Sequence, residues 1–225
     1  MTIKHIIFVT VAVCFCTVSQ AQRNTGYDNY NRIGIQGGLS IFDIKTNDLI
    51  TESRTGVTGG FTTRGAFRNN FDFIYGLNFL SNQIRVRGVN SLPTGGVLDT
   101  QLIDYTIIGA QINFLLSYNI VKKHLSIEAG PMLNVNSKME LKNEQFENYI
   151  IEGYTTITAK NVEDISTFNG VGYVGVTAGL ESFRIIVNYQ YGFTNILGNL
   201  NKKNLENKNF KGNSSTATVA AVIYF

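Results

Sequence analysis

The chain has 225 residues, with 19 Lys and Arg against 16 Asp and Glu and a formal charge of +3. That balance excludes a nucleic-acid-binding footprint, and the length suits one domain better than two. Both cysteines, Cys14 and Cys16, lie in the first 21 residues, so disulfide and thiolate chemistry are excluded from the rest.

Residues 1–21 read as a secretory signal peptide. Lys4 supplies the positive start, 6–18 is an apolar run, and Ser19-Gln20-Ala21 is a small-x-small cleavage site. The apolar run is shorter than the roughly 20 residues of a helical span. A lipoprotein reading through Cys14 or Cys16 lacks small residues just before either. Beyond the leader there is no run of 18 apolar residues, so a membrane-embedded mature chain must cross as a closed barrel. Residues 22–31 are polar and read as a periplasmic lead-in to a barrel domain over 32–225.

Eight strands are expected. Strand one, 32–41, sets Ile33, Ile35, Leu39 and Ile41 against Arg32, Gln36 and Ser40, and a loop follows over 42–53. Strand two, 56–67, points Val57, Phe61 and Phe67 outward and Thr58, Thr62 and Arg64 inward. Asn69 and Asn70 make a tight turn, since Asn tolerates positive φ. Strand three, 71–80, carries Phe71, Phe73, Tyr75, Leu77 and Phe79 outward and Asp72 and Asn78 inward. A long loop over 82–100 holds Pro93, Gly95 and Gly96. Strand four, 102–118, is longer than a crossing needs, so its start is expected to stand above the bilayer.

After a short basic turn, strand five, 125–135, points Ser126, Glu128 and Asn134 inward. A long connection over 136–166 contains a stretch, 149–160, that alternates enough for a β extension at the rim. Strand six, 168–180, is rich in Gly and Val and leaves its facing open. Strand seven is the plainest. Phe183, Ile185, Val187, Tyr189, Tyr191 and Phe193 alternate with Arg184, Ile186, Asn188, Gln190, Gly192 and Thr194, a pattern of period two with one face for lipid and one for a polar lumen. A Lys- and Asn-rich loop then leads to strand eight, 214–225. There Val219, Ala221, Ile223 and Phe225 alternate up to a terminal Phe, resembling the C-terminal signal read by the barrel-insertion machinery.

The connections alternate long and short, as in outer-membrane barrels with long outer loops and short periplasmic turns. The fold expected is therefore an all-β, eight-stranded antiparallel up-and-down transmembrane barrel in the cell outer membrane, its lumen filled by side chains.

Three short stretches carry a family resemblance. The runs 188–196 (NYQYGFTNI), 127–135 (IEAGPMLNV) and 75–79 (YGLNF) resemble, in order, the penultimate, mid-barrel and early strands of the PorT-type outer-membrane β-barrel family of Gram-negative bacteria. The resemblance spans most of the chain after the first thirty residues. It implies a non-enzymatic barrel, a scaffold or accessory component of a protein-secretion or motility machinery, with outer-membrane lipid and the insertion machinery as further partners.

Signals of chemistry are weak. Gly170, Gly172 and Gly175 form a literal GxGxxG, but the run continues into another strand rather than a helix, so a nucleotide site is not expected. Leu92-Pro-Thr-Gly-Gly96 is read as a loop-tip turn. His124 stands alone beside Lys122 and Lys123, without the cluster a metal or catalytic site needs. Asp43 and Asp48 match no calcium loop. No catalytic, cofactor or metal residue is assigned, which leaves a rim enzyme as the least favoured reading.

The inward charges form the candidate site: Arg64, Asp72, Glu128, Glu181 and Arg184, all near periplasmic strand ends. Eight strands enclose a lumen just wide enough for side chains, and charges there must pair. A structural polar plug is expected; a narrow pore for protons, ions or small solutes stays open as the alternative. The loops carry mixed charge, six acidic residues against three Lys in 136–166 and four Lys against Glu206 in 194–213, so opposite signs are placed to zip loops together or to dock a partner.

Overall fold

The computed structural model describes residues 30–91 and 97–225. The expected signal peptide, its cleavage after Ala21, most of the polar lead-in and the turn at Pro93, Gly95 and Gly96 lie outside the described residues.

Eight long strands close the barrel: β1 (Asn31–Lys45), β2 (Thr51–Arg68), β3 (Phe71–Ser91), β4 (Val97–Val121), β5 (Leu125–Leu141), β7 (Phe168–Gly179), β8 (Phe183–Gly192) and β9 (Asn213–Tyr224). Each pairs antiparallel with the next. The ring closes where β1 meets β9, in register from Gly34 opposite Tyr224 to Lys45 opposite Asn213. A two-residue strand, β6 (Ile150–Ile151), lies against β3 at Gly88 and Val89, so part of the expected rim extension is β structure.

The period-two pattern sets the facing of every strand. In β8, Phe183, Ile185, Val187, Tyr189 and Tyr191 point outward and are exposed, while Arg184, Ile186, Asn188 and Gln190 are buried inside. The facing left open in β7 is settled: Asn169, Val171, Tyr173, Gly175 and Thr177 point in, Phe168, Val174 and Val176 out. Two short turns use positive φ at Asn69 (54°) and Lys123 (66°). The first is a residue that visits this region routinely.

Five strands run farther at the long-loop end than expected. The loop foreseen over 42–53 shrinks to 46–50, and that over 82–100 becomes the tall β3–β4 hairpin, paired from Phe71 opposite Tyr118 to Ser91 opposite Val97. The reason is an inversion of chemistry along one unbroken alternation. Low in β3, apolar residues face out. Above Leu80 the outward positions become Gln83, Arg85 and Arg87, and the inward ones become Ile84 and Val86, both fully buried. A search for an apolar outer face loses the strand at that height.

In β5 the change also involves a bulge. Ile107 opposes Met139 while Gly109 opposes Asn136, so β5 carries an extra residue, and Ser137 Oγ accepts from Ile108 N at 3.1 Å. The inward set thereby shifts from Ser126, Glu128, Met132 and Asn136 to Met139, which brings an apolar side chain into the upper interior.

Candidate functional site

The interior has two zones. In the lower one, near the short turns, Arg64 is the hub. Its Nη1 donates to Asp72 Oδ2 at 2.8 Å and to Ser117 Oγ at 3.1 Å, and its Nη2 donates to Glu128 Oε1. Arg184 Nη2 donates to Ser126 Oγ at 3.1 Å, and Ser126 in turn donates to Asn119 Oδ1 at 2.8 Å. The Tyr173 hydroxyl donates to Glu128 Oε2 at 3.3 Å. All four charged side chains are about 2 % exposed, and two guanidiniums balance two carboxylates. Such a cluster is tolerable in the interior only because it is neutral and hydrogen-bonded. Tyr224 joins this zone because Gly34 leaves room: a Cβ there would stand 2.8 Å from the tyrosine ring.

Glu181, expected in the same network, is not in the lumen. The β7–β8 turn holds it outside the barrel mouth, 43 % exposed, where it binds Arg32 and, at 2.8 Å, Lys123 Nζ. These hydrogen bonds, from Lys123 first and then Arg32, lower its pKa to about 2. Its role is to tie β1 and the β4–β5 turn to the β7–β8 turn. His124 lies beside it, its Nδ1 2.9 Å from Gly179 O. Sequence periodicity alone could not separate Glu181 from Arg184, because a turn residue has no facing to read.

Above the charges, amides span the barrel. Gln111 Nε2 donates to Asn134 Oδ1 at 2.8 Å and Gln190 Oε1 at 2.9 Å, and Gln190 Nε2 donates to Asn188 Oδ1 at 2.9 Å. They leave a cavity of about 40 Å³, enough for a water or two and no larger solute.

The upper zone is apolar. Phe42, Ile44, Ile84, Val86, Ile103, Tyr105, Ile107 and Met139 project inward from the strand extensions. Onto them fold Ile151, Ile157, Val162 and Ile165 from the 142–167 connection and Ile196, Leu197, Leu200 and Phe210 from 193–212. The long connections are thus a folded cap with its own core. Tyr105 fixes the register by donating to Ala159 O at 3.0 Å. Sequence reasoning missed this cap; the signal was the isolated apolar residues in otherwise polar loops.

Polar latches stitch the cap's segments together. Tyr154 OH donates to Asp48 O at 2.9 Å, and Asp48 Oδ2 accepts from Lys211 N at 2.7 Å. Asp48 is therefore a loop fastener. One Glu206 oxygen accepts from the backbone N and hydroxyl of both Thr155 and Thr156, at 2.9 to 3.1 Å. Lys203 and Asp164 pair across the same loops at 3.4 Å, so opposite charges do zip them. The Thr155 and Thr156 amides hold the Glu206 carboxyl below its ordinary pKa. A carboxylate depressed in the folded state contributes stability above its unfolded pKa and loses it as pH falls through the folded value. Amide-exchange protection at Thr155 and Thr156 is expected to fall on acidification in the natural chain and to be low at all pH in Glu206→Gln. Equal protection in both would show that the latch contributes nothing.

The sequence matches none of the curated proteins. Residues 19–198 match the family model described as outer membrane protein beta-barrel domain. Among solved structures, the chain is similar in fold to Neisserial surface protein A (TM-score 0.47, 10 % identity, 86 % of this chain and 97 % of that one). It is similar also to Ail, the attachment invasion locus protein of Yersinia pestis (0.46, 14 %, 87 % and 99 %), and to OprG from Pseudomonas aeruginosa (0.44, 10 %, 88 % and 97 %). Outer-membrane barrels place short turns in the periplasm and long loops outside, which puts the charge cluster at the periplasmic end and the cap on the cell surface. With the family model covering most of its length and the closed antiparallel strands it requires in place, the chain belongs to the outer membrane beta-barrel family.

Proposed function

We propose that this barrel is a non-enzymatic, non-conducting scaffold that docks a protein partner on its extracellular cap. The observation that carries the reading is the double closure of the lumen. Beneath the cap the cavity among the amides measures about 40 Å³, and above it the mouth is packed with buried apolar side chains. A pore needs a continuous wetted path, so this packing counts against the channel alternative. The cap meanwhile offers a sheet edge. Pairing of β4 with β5 begins at Tyr105 opposite Leu141, and Lys142 N bonds Asp104 O just above it. Among the described residues, β4 from Asp99 to Ile103 therefore presents one edge suited to an added strand.

In its finer form the proposal makes the partner a component of protein secretion or motility, supported by the resemblance of the 188–196 run to PorT-type barrels. Delivery to the membrane is assigned to the insertion machinery reading Val219, Ala221, Ile223 and Phe225. Val219, Ile223 and Phe225 are exposed on the outer wall at 55, 52 and 74 %, and Ala221 shares their parity.

Mild-detergent affinity purification from native outer membranes, with mass spectrometry and single-channel recording of the product, tests this. A stoichiometric partner and no unit conductance are expected. Recovery of the barrel alone together with steady conductance would overturn the scaffold in favour of the pore. An unchanged secretome in a deletion strain would remove the secretion form while leaving the scaffold.

A further inference from the structure

We propose that the outer wall of the barrel binds one acyl chain of an outer-leaflet lipid in a groove along β7. The three glycines of the GxGxxG run acquire a steric role here. Gly175 points inward, where a Cβ would stand 2.9 Å from the Tyr173 hydroxyl. Gly170 and Gly172 have the opposite parity and face out, so they strip side chains from the lipid-facing wall. Gly172 is opposite Pro131 on β5 and Tyr191 on β8, and Gly170 O accepts from Phe193 N at 2.9 Å.

The result is a trough of about 450 Å³ floored by Gly130, Pro131 and Gly172 and walled by Val174 and three aromatics in line, Tyr189, Tyr191 and Phe193. The residues of the wall touch one another. The Tyr191 and Phe193 rings meet at 6.1 Å and 70°, and Phe193 leans over Gly172, where a Cβ would come within 2.6 Å of it. Tyr189 has its hydroxyl engaged with Ser215 Oγ at 2.9 Å, which leaves its ring as the contact surface.

The occupant follows from where the trough lies. It is continuous with the membrane interface: Ile127, Leu133, Val176 and Val187 around it are all outward and exposed. Pro131 is six residues above the periplasmic end of β5 and Tyr191 eight above that of β8. A crossing takes about 9–11 residues, so the trough sits in the outer half. An unfilled trough there forfeits dispersion contacts along its lining. A flexible, linear hydrocarbon chain restores them, and in the membrane such chains are present at far higher concentration than a second copy of the protein.

The test uses the full barrel in phosphatidylcholine vesicles containing a trace of phosphatidylcholine with a diazirine in its acyl chain, photolysed and mapped by mass spectrometry. Adducts are expected on residues 172–176 and 187–193 at roughly threefold or more the level at Phe61 on the opposite wall, the enrichment of about one aromatic contact. Val174→Trp, which fills the trough, is expected to abolish the enrichment, and Phe61→Trp to leave it, with both variants still migrating as folded barrels in unheated gels. Even labelling around the circumference would overturn the proposal. So would fewer adducts on 172–176 and 187–193 than at Phe61, which would mean that something other than lipid covers the trough. Neither result bears on the partner-docking cap.

Discussion

Arg64→Met is expected to destabilise the barrel by about 3–5 kcal/mol, because it strands two buried carboxylates without their cation. Asp72 and Glu128 each hold Arg64 directly, and their side chains are 3 % exposed. The measurement is urea unfolding from lipid vesicles, where the midpoint should fall with little change in slope. Removing the whole cluster, with Arg64→Met, Asp72→Asn, Glu128→Gln and Arg184→Met together, should recover most of the loss, since no uncompensated charge then remains. Glu181→Gln should lower the midpoint far less, because its pairs with Arg32 and Lys123 are partly exposed and screened at the rim. An Arg64→Met midpoint equal to the natural chain's would mean that the interior is wetter than its packing implies.

Phe210→Ala is expected to open the cap while leaving the membrane zone closed. Phe210 is fully buried, its ring 5.8 Å from that of Tyr154, and truncating such a core aromatic costs about 3–5 kcal/mol. The loss should be local, since the cap core and the lower interior are separate apolar clusters divided by the amide layer. External protease should then cut within 142–167 and 193–212 at rates far above those of the natural chain, while unheated samples keep the folded barrel's gel migration. If those segments stay protected, the hydrogen bonds of Asp48 and Glu206 rather than the apolar core hold the cap. Loss of folded migration as well would show that the two zones unfold as one.

The outer wall was legible because lipid imposes a rule on every second residue. Ile33, Phe61, Phe79 and Val187 face out as the alternation demands, and two of the three short turns hold Asn69 and Lys123 where it breaks. The lumen charges were legible for the same reason, as Arg64, Asp72, Glu128 and Arg184 share the inward parity. Glu181 shows the limit: parity has no meaning in a turn, and only its contacts with Arg32 and Lys123 place it outside.

By itself the sequence determined the barrel, the number of its long strands, the membrane-level facing of all of them but β7, and the polar filling of its lower half. These depend on period-two alternation and on loop length, both local in the chain. The tertiary structure alone decided what stands above the membrane. There the strands continue with polar residues out and apolar residues in, β5 changes parity through its bulge at Ser137, and the scattered Ile151, Ile157, Leu200 and Phe210 meet Ile84 and Tyr105 in one core. No local period announces such a core, because its members come from segments far apart in the chain and share only the need to leave water.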